Sequence, residues 1–322
     1  MSSVRVGILG CSDIAQRKFF PALLSSSKGI LSAVSGRRPQ KSASFFQNVG
    51  YAVMEHEELI AAPDIDLVYI SMPNHLHEEW TIRALEQGKH VICEKPLGLS
   101  FDSVTRMLDC AERNSVVLYE NLMFLQHPQH LVIKRLLDSG IIGRLVSLRS
   151  VFGIPEPKAG NFRLDPAQGG GAFHDLLRYP LWTALHFLKG ELRQFTGVAL
   201  NRGGLNMAMH GSAVSSKAEL FKWAVAFGQQ YESCYEIIGE IGKIKVDRAY
   251  TPPADLNNRI RLTLGTEERL IQTPAADQFL LAFDHACSLI GNKSSSPEVH
   301  ESSRKIAHMA DLLMKGSIHV EL

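Results

Sequence analysis

Short apolar, β-rich segments alternate with helical segments along the first third of the chain, and this alternation restricts the possible folds more than any other feature. The predicted strands are Val4–Gly10, Ile30–Ser35, Leu67–Ser71, Lys89–Cys93 and Val116–Tyr119. The helices predicted between them are Asp13–Ser26, Pro39–Asn48, His75–Gln87 and a helix that Ser100 caps and that ends near Asn114. Because strands and helices that alternate in this way form βαβ units, the sequence predicts a parallel α/β sheet up to about residue 121.

The pattern changes after about Asn121. Helices are predicted at Gln129–Ser139, Phe173–Leu188, Ala276–Ile290 and Glu298–Met314. The β-like segments are Leu145–Phe152, Phe195–Leu200, Lys222–Phe227, Ser233–Ile238, Lys243–Val246, Arg259–Leu264 and Arg269–Gln272. Short links such as Gly239-Glu240-Ile241-Gly242 are typical of hairpins, so this part of the chain is expected to form an antiparallel sheet.

Charge and cysteine usage exclude several classes of function. The 34 basic and 33 acidic residues nearly cancel, which removes the electrostatic drive towards nucleic acid or an anionic membrane. The five cysteines are scattered without a Cys-x-x-Cys pair, and the 13 histidines show no His-Glu-x-x-His spacing. No signal-peptide pattern or membrane-length apolar run is present. We therefore expect a cytoplasmic protein with no metal site and no nucleic-acid or membrane partner.

The first predicted strand ends in a glycine turn that opens a helix, Gly10-Cys11-Ser12-Asp13-Ile14-Ala15. This is a degenerate Gly-x-Gly-x-x-Ala motif in which Ser12 replaces the middle glycine. In this context the free N–H groups of the helix start favour a pyrophosphate, so the turn predicts a dinucleotide site. The candidate cofactor residues are Gly10, Cys11, Ser12, Asp13 and Ile14. The alternative is a structural glycine turn in a domain that binds no nucleotide.

The end of the second predicted strand indicates which dinucleotide is bound. An acidic residue there usually binds the ribose 2′-hydroxyl of NAD, but this chain has Ser35-Gly36-Arg37-Arg38. Two guanidinium groups and a hydroxyl suit a 2′-phosphate, because arginine makes charge-assisted bonds to phosphate. We therefore predict NADP(H) as the cofactor, bound by Ser35, Arg37 and Arg38. A solvated arginine pair before a helix is the alternative interpretation.

Two separated motifs give the sequence a family resemblance. The first combines Pro73-Asn74-His75-Leu76-His77 with the run from Gly88 to Leu97, which contains Glu94-Lys95-Pro96. The second is Gly169-Gly170-Gly171-Ala172-Phe173-His174-Asp175. In this order they resemble the Gfo/Idh/MocA family of oxidoreductases, over essentially the whole chain.

The resemblance implies an NADP-binding Rossmann domain over residues 1–121. It also implies a substrate-binding and oligomerisation domain over residues 122–322, an α/β domain with a large, open, mostly antiparallel sheet. A homo-oligomer, a dimer or a tetramer, is usual in such a family. Cofactor contacts are expected from Pro73, Asn74, His77, Glu94 and Lys95.

The second motif continues as Asp175-Leu176-Leu177-Arg178-Tyr179-Pro180, which places Tyr179 at the position of the family's catalytic tyrosine. Leu177 departs from the usual glycine, and His174 is not the histidine of the inositol-dehydrogenase type. Reduction of a ketone builds negative charge on oxygen, which needs a proton and an electrostatic partner. We therefore expect Tyr179 to be the general acid and Lys95 to be the charge that assists it, with Asp175 orienting the tyrosine or the substrate.

Further stretches resemble the branch of this family that reduces the 3-keto group of nucleotide-linked deoxysugars with NADPH: 120–130, 169–180 with 185–188, and 247–255. Asn121, His127 and Arg163 are candidates for binding the sugar or its diphosphate, with fold-supporting hydrogen bonds as an equal alternative. Two other functions stay open. One is an NAD(P)-dependent dehydrogenase of a free sugar or cyclic diol, and the other is a non-catalytic NADP-sensing protein.

Overall fold

The computed structural model describes residues 3–37, 42–46, 49–292 and 297–322. The chain forms two compact units. The first comprises residues 1–123 and 278–305, and the second comprises residues 124–277 and 306–322. The predicted boundary after residue 121 lies two residues from the first division, but the prediction placed residues 278–305 in the other domain.

The first unit contains a six-stranded sheet in which every pairing is parallel. Its strands are β1 (Val4–Leu9), β2 (Gly29–Ser35), β3 (Ala52–Val53), β4 (Leu67–Ile70), β5 (His90–Cys93) and β6 (Leu118–Glu120). The strand order β3-β2-β1-β4-β5-β6 is that of a Rossmann sheet. All four residues of β4 are buried, as expected for a parallel strand covered on both faces.

The helices of this part are α1 (Phe20–Ser25), α2 (His56–Ala61), α3 (His77–Glu86) and α4 (Phe101–Arg113). The hydroxyl of Ser100 accepts a hydrogen bond from the N–H of Ser103 and caps α4, as predicted. A π-helical segment, Ala15–Phe19, runs directly into α1, so the helix predicted over Asp13–Ser26 is confirmed, with π-helical geometry in its first half. Sequence analysis missed the short elements β3 and α2, and half of the predicted helix over residues 39–48 falls outside the described residues.

The second unit is built on a nine-stranded sheet of order β14-β13-β12-β11-β7-β10-β9-β8-β15. The strands are β7 (Leu145–Ile154), β8 (Leu192–Arg202), β9 (Leu205–Ser215), β10 (Leu220–Phe227), β11 (Glu232–Gly239), β12 (Gly242–Asp247), β13 (Arg259–Leu264), β14 (Glu267–Gln272) and β15 (Ile318–Glu321). The β7–β10 and β8–β15 pairings are parallel and the others are antiparallel. This confirms the predicted mostly antiparallel sheet.

Helices α5 (Pro128–Asp138), α6 (Ala172–Leu176) and α7 (Arg178–Phe187) belong to the same unit. Sequence analysis missed β9, because methionine, alanine, serine and glycine make up most of it and none of these residues favours strands strongly. It also missed β15 near the end of the chain.

The two faces of the large sheet differ in exposure. One row of cross-strand neighbours is buried: Phe152, Val225, Met209 and Ala199. The adjacent row on the opposite face is exposed or half-buried: Val151, Ala224, His210, Val198 and Ile318. The sheet therefore presents a partly apolar face that the rest of its own unit does not cover.

Two helices lie between β14 and β15 in the chain, α8 (Gln278–Gly291) and α9 (Pro297–Gly316). The buried ring of Phe283 in α8 meets the ring of Phe19 edge to face, with 5.7 Å between ring centroids. This packing places α8 in the first unit, a return of the chain that hydrophobic periodicity alone does not reveal. No disulfide joins the five cysteines, all of which are described. Within the described ranges, no helix has the length and hydropathy needed to cross a membrane.

Candidate active site

The turn after β1 needs glycine at residue 10. Gly10 has a φ of +101°, its N–H donates to the carbonyl of Ser35 at 2.9 Å, and its carbonyl accepts from the hydroxyl of Ser71 at 2.9 Å. A Cβ at this position would stand 3.3 Å from the backbone nitrogen of Met72. The turn is thereby tied to the ends of the two neighbouring strands, β2 and β4.

The residues after Gly10 start the helical segment. The hydroxyl of Ser12 accepts from the N–H of Ala15 at 3.2 Å, and its carbonyl accepts from the N–H of Gln16 at 3.1 Å. Ala15, the last residue of the glycine motif, is fully buried, as a position where helix and strand pack closely requires. Cys11, Asp13 and Ile14 lie in the same turn, with exposures from half-buried to exposed. This geometry fits a pyrophosphate at a helix start.

At the end of β2, the hydroxyl of Ser35 is hydrogen-bonded to Nδ1 of His56, the first residue of α2. Ser35 is fully buried, whereas the following Arg37 is exposed. Burial lowers the pKa of His56, and the nearby charge of Arg37 adds to this effect. Two arginines were predicted to bind the 2′-phosphate. The structure describes Arg37, whereas Arg38 lies outside the described residues. Sequence analysis missed His56.

The turn that carries Lys95 follows β5, and its Lys95–Pro96 peptide bond is cis. On one side of the lysine, an oxygen of the buried Glu94 carboxyl accepts from the hydroxyl of Tyr69 and from the amide of Asn121, both at 2.7 Å. Burial raises the pKa of Glu94, and these two hydrogen bonds oppose the rise. The amide of Asn121, a predicted substrate contact, is therefore engaged in holding Glu94.

Two further side chains hold the other side of this turn. Nδ1 of His77 lies 2.8 Å from the carbonyl oxygen of Pro96, and the N–H of Leu97 donates to the carboxyl of Glu120 at 3.0 Å. Pro73 and Asn74 come just before, where the carbonyl of Pro73 accepts from the N–H of Leu76 in a 3₁₀ turn. Those predicted cofactor residues that the structure describes thus lie at the carboxyl ends of β1, β2, β4 and β5, the edge at which open α/β sheets bind ligands.

In the second unit, the glycine run opens α6 by close backbone contact. The N–H of Gly171 donates to the carbonyl of Arg163 at 2.8 Å, and the N–H of Gly170 donates to that of Asp165 at 3.0 Å. A Cβ on Gly170 would stand 2.5 Å from the carbonyl oxygen of Arg163. The run is therefore glycine because the loop that carries Arg163 lies against it.

That loop delivers Arg163 to Asp175, with 2.9 Å between Nε and Oδ2. The Asp175 side chain is 8% exposed and that of Arg163 is 33% exposed. The predicted substrate contact Arg163 is thus an ion-pair partner of the predicted orienting aspartate. The structure brings together two residues that sequence analysis had given separate roles.

Tyr179 lies one turn further along, on α7, and is 3% exposed. Its ring packs against Phe152 at 4.9 Å, Tyr250 at 5.2 Å and Phe124 at 5.3 Å between centroids. Leu177, where the family usually has glycine, adopts φ −64° and ψ −27° between α6 and α7. This is an ordinary right-handed conformation, so leucine causes no backbone strain there.

His127, another predicted substrate contact, caps α5: its Nδ1 accepts from the N–H of Gln129 at 3.3 Å. Its Nε2 is buried and has no hydrogen-bond partner among the described residues. Burial lowers the pKa of His127 and lowers that of His174 to about 4, so both rings are neutral near pH 7. The described residues contain no cluster of three or more His, Cys, Asp or Glu side chains suited to a metal ion.

Sequence analysis assigned no role to the side chains that support the site, namely Tyr69, Glu120, Ser71 and Tyr250. In the sequence, Tyr69 is one more residue of a buried apolar strand. The structure shows that its hydroxyl donates a hydrogen bond to the carboxyl of Glu94. Glu120 carried a usable signal, because it is an acid at the end of a parallel strand beside Asn121.

The fold and these residues together define a class of protein. A Rossmann unit with a dinucleotide-type glycine turn is joined in one chain to a unit with a large, mostly antiparallel sheet. Residues 4–122 match the oxidoreductase family with an NAD-binding Rossmann fold, and residues 130–245 match the GFO/IDH/MocA C-terminal domain. The chain therefore belongs to the Gfo/Idh/MocA family of oxidoreductases.

Several characterised relatives are similar over most of their length. A dTDP-3,4-didehydro-2,6-dideoxy-alpha-D-glucose 3-reductase of Saccharopolyspora spinosa is 36% identical over 278 residues, covering 85% of this chain and 84% of the relative. The protein of that name from Actinomadura kijaniata is 31% identical and covers 98% of this chain and 96% of its own. The crystal structure of KijD10, a 3-ketoreductase from Actinomadura kijaniata in complex with NADP and TDP-benzene, matches with a TM-score of 0.96 at 30% identity, over 100% of both chains.

Proposed function

We propose that this protein reduces a keto group, at C3, of a nucleotide-linked deoxysugar with NADPH. The observation that carries the proposal is the likeness to KijD10 over the whole of both chains, a 3-ketoreductase with NADP and TDP-benzene bound. The named relatives in Saccharopolyspora spinosa and Actinomadura kijaniata support the same substrate class.

The residues at the strand ends of the first unit fit NADP(H). Gly10 and Ser12 shape a turn for the pyrophosphate, and the exposed guanidinium of Arg37 suits the 2′-phosphate. Pro73, Asn74 and Glu94 follow the ends of β4 and β5, where the nicotinamide half would be held. When bound, the reduced nicotinamide supplies the hydride.

Tyr179 donates the proton that the carbonyl oxygen of the substrate requires, in this proposal. A phenol has an ordinary pKa near 10, so it holds its proton at neutral pH and needs help to release it. The ammonium group of Lys95 provides that help, because a positive charge stabilises both the phenolate and the developing oxyanion. Asp175, fixed by its ion pair with Arg163, orients the start of the helical segment that leads to Tyr179.

The proposed binding of the sugar nucleotide rests on fewer groups than the sequence indicated. Asn121 acts through Glu94, since its amide donates to that carboxyl. Arg163 acts through Asp175 in the same way. His127 keeps a buried Nε2 without a partner in the described chain, and a sugar hydroxyl is the group we assign to it. Its neutral ring suits a hydroxyl better than a phosphate.

The test is NADPH oxidation with a 3-keto sugar nucleotide that a 2,3-dehydratase generates in the same vessel. We expect rapid NADPH oxidation with this substrate. In a separate assay with NADP⁺, we expect little reduction of the cofactor by xylose or a cyclic diol, which a dehydrogenase would oxidise. Turnover of the free sugar or the diol instead would transfer the assignment to a dehydrogenase of those compounds. Tight NADPH binding without turnover of any carbonyl compound would favour an NADP sensor.

Cofactor choice gives a separate prediction. Arg37→Ala is expected to raise the KM for NADPH roughly ten- to hundredfold, because a hydrogen bond to a charged group is worth about 1.5–3 kcal/mol. The KM for NADH, which lacks the 2′-phosphate, should stay unchanged. Arg144→Ala removes an exposed arginine that pairs with Glu240 in the second unit and serves as the control. An equal rise for both cofactors in Arg37→Ala would contradict the 2′-phosphate assignment.

We also propose that the protein is a homo-oligomer, a dimer or a tetramer, which assembles through the uncovered face of the large sheet. The half-buried Ala224 lies in the centre of that face, between Val151 and His210. Burial of a carboxylate there against a second copy would cost the free energy of removing a charge from water. Ala224→Glu is therefore expected to shift the mass in size-exclusion chromatography with light scattering to that of the monomer. The exposed Ala61→Glu is the control, and an unchanged mass for Ala224→Glu would exclude this face.

A further inference from the structure

His77 lies between two backbone segments of the first unit and contacts both. Its Nδ1 is 2.8 Å from the carbonyl oxygen of Pro96, and its Nε2 is 2.9 Å from the carbonyl oxygen of Met72. The residue is 1% exposed and starts α3. Met72 follows β4 at the edge where the cofactor residues lie, and Pro96 follows Lys95 directly.

Both groups that face the ring are hydrogen-bond acceptors, so the ring acts only as a donor towards them. A neutral imidazole carries one N–H and an imidazolium carries two. Burial lowers the pKa of His77, the two carbonyl bonds oppose this, and the charge of Lys95 adds to the lowering. Both ring nitrogens face backbone carbonyls and the residue is 1% exposed, so neither nitrogen is placed to bind a cofactor phosphate or hydroxyl directly.

The rest of the Lys95 turn is held by other groups. Glu94 is fixed by Tyr69 and Asn121, and the N–H of Leu97 is fixed by Glu120. The contact of His77 with the carbonyl of Pro96 links the turn to the end of β4. The backbone N–H of Glu94 also donates to the carbonyl of Ile70, the last residue of β4, at 2.9 Å, so His77 adds a second link on the Pro96 side of the lysine.

We propose that His77 is a positioning residue for Lys95. It fixes the position of the lysine relative to the carboxyl end of β4, where predicted cofactor residues lie. This inference rests on the proposed function, since it assigns Lys95 the role of assisting proton transfer. It replaces a direct cofactor contact of His77 with an indirect one through the backbone. A displacement of about 1 Å at a catalytic group lowers turnover roughly a hundredfold, so the link has a measurable effect.

The test compares His77→Gln with a matched control, His90→Gln. His90 is the first residue of β5, at the opposite end of that strand from the Lys95 turn. Its Nδ1 accepts from the N–H of Val117 at 2.9 Å. We expect His77→Gln to lower the single-turnover rate roughly ten- to hundredfold while the Kd for NADPH, measured by fluorescence, stays nearly constant. The control should change neither. A loss of NADPH affinity as large as the loss of rate would overturn the proposal in favour of a direct cofactor role.

A double-mutant cycle with Lys95→Ala separates positioning from general damage to the fold. If His77 acts through Lys95, adding His77→Gln to Lys95→Ala causes no further loss of rate. Losses that multiply would overturn the proposal. High enzyme concentrations in single-turnover experiments keep the residual rates measurable.

Hydrogen exchange gives a readout that needs no substrate and so stays valid if the sugar-nucleotide assignment fails. Peptides that cover Glu94–Leu97 are expected to exchange faster in His77→Gln than in wild type and to be unchanged in His90→Gln. Unchanged exchange in His77→Gln would overturn the proposal whatever the wild-type protein reduces. Failure of wild type to oxidise NADPH with the keto sugar nucleotide would count against the proposed function alone.

Discussion

Tyr179→Phe is expected to lower kcat by roughly 10²–10⁴-fold, the usual contribution of a general acid, while the KM for NADPH changes little. The substitution removes only the hydroxyl and leaves the ring in its cluster with Phe152 and Tyr250. Packing and stability should therefore be nearly those of wild type. The measurement is NADPH oxidation with the keto sugar nucleotide, together with a thermal melt.

Tyr235→Phe is the matched control for this experiment. Tyr235 is as deeply buried as Tyr179, belongs to the same unit, and its hydroxyl is hydrogen-bonded to Nδ1 of His130 at 2.7 Å. Loss of that bond should cost about 1 kcal/mol of stability and leave kcat unchanged. Full activity in Tyr179→Phe, or an equal loss in both variants, would remove Tyr179 from the role of proton donor.

Gly170→Ala is expected to lower the free energy of unfolding by about 1–3 kcal/mol, as insertion of atoms into close packing usually does. The new Cβ would stand 2.5 Å from the carbonyl oxygen of Arg163 and 2.7 Å from that of Asp165. Because both atoms belong to the backbone, the loop must move and the ion pair between Arg163 and Asp175 is disturbed. We therefore expect a loss of kcat as well. Urea unfolding and NADPH oxidation measure the two effects.

Gly316→Ala provides the comparison for Gly170→Ala. Gly316 is exposed at the end of α9, and an added Cβ would meet no atom within 4 Å. Neither glycine has a positive φ, so the two variants differ in available space rather than in backbone strain. The control should be neutral or slightly stabilising. Stability of Gly170→Ala at the wild-type level would mean that the loop carrying Arg163 adapts freely.

The two catalytic candidates are supported in different ways. Lys95 is on a turn whose neighbours Glu94 and Leu97 are each fixed by side chains from adjacent strand ends. Tyr179 is fixed by aromatic packing and by its own helix, where the hydroxyl of Thr183 donates to its carbonyl at 2.8 Å. Substitutions around Lys95 should thus act through lost hydrogen bonds, and those around Tyr179 through altered packing.

Much of the fold could be predicted because its signals are local. Buried parallel strands are nearly continuous apolar runs, and the residues that cap helices or turn the chain stand beside them, as Gly10 and Ser100 do. The short elements β3 and α2 escaped prediction because a two-residue strand and a six-residue helix carry too little periodicity. Strand β9 escaped because its small residues favour no particular structure.

The sequence by itself determined the two-part α/β architecture, the glycine turn for a dinucleotide and the motifs that hold Lys95 and Tyr179. Only the tertiary structure decided what the polar side chains around them contact. It paired Arg163 with Asp175, 12 residues away, and Asn121 with Glu94, 27 residues away. The physical reason is that a buried charged or polar group takes whichever partner the fold brings within about 3 Å, and that choice depends on the path of the chain rather than on local periodicity.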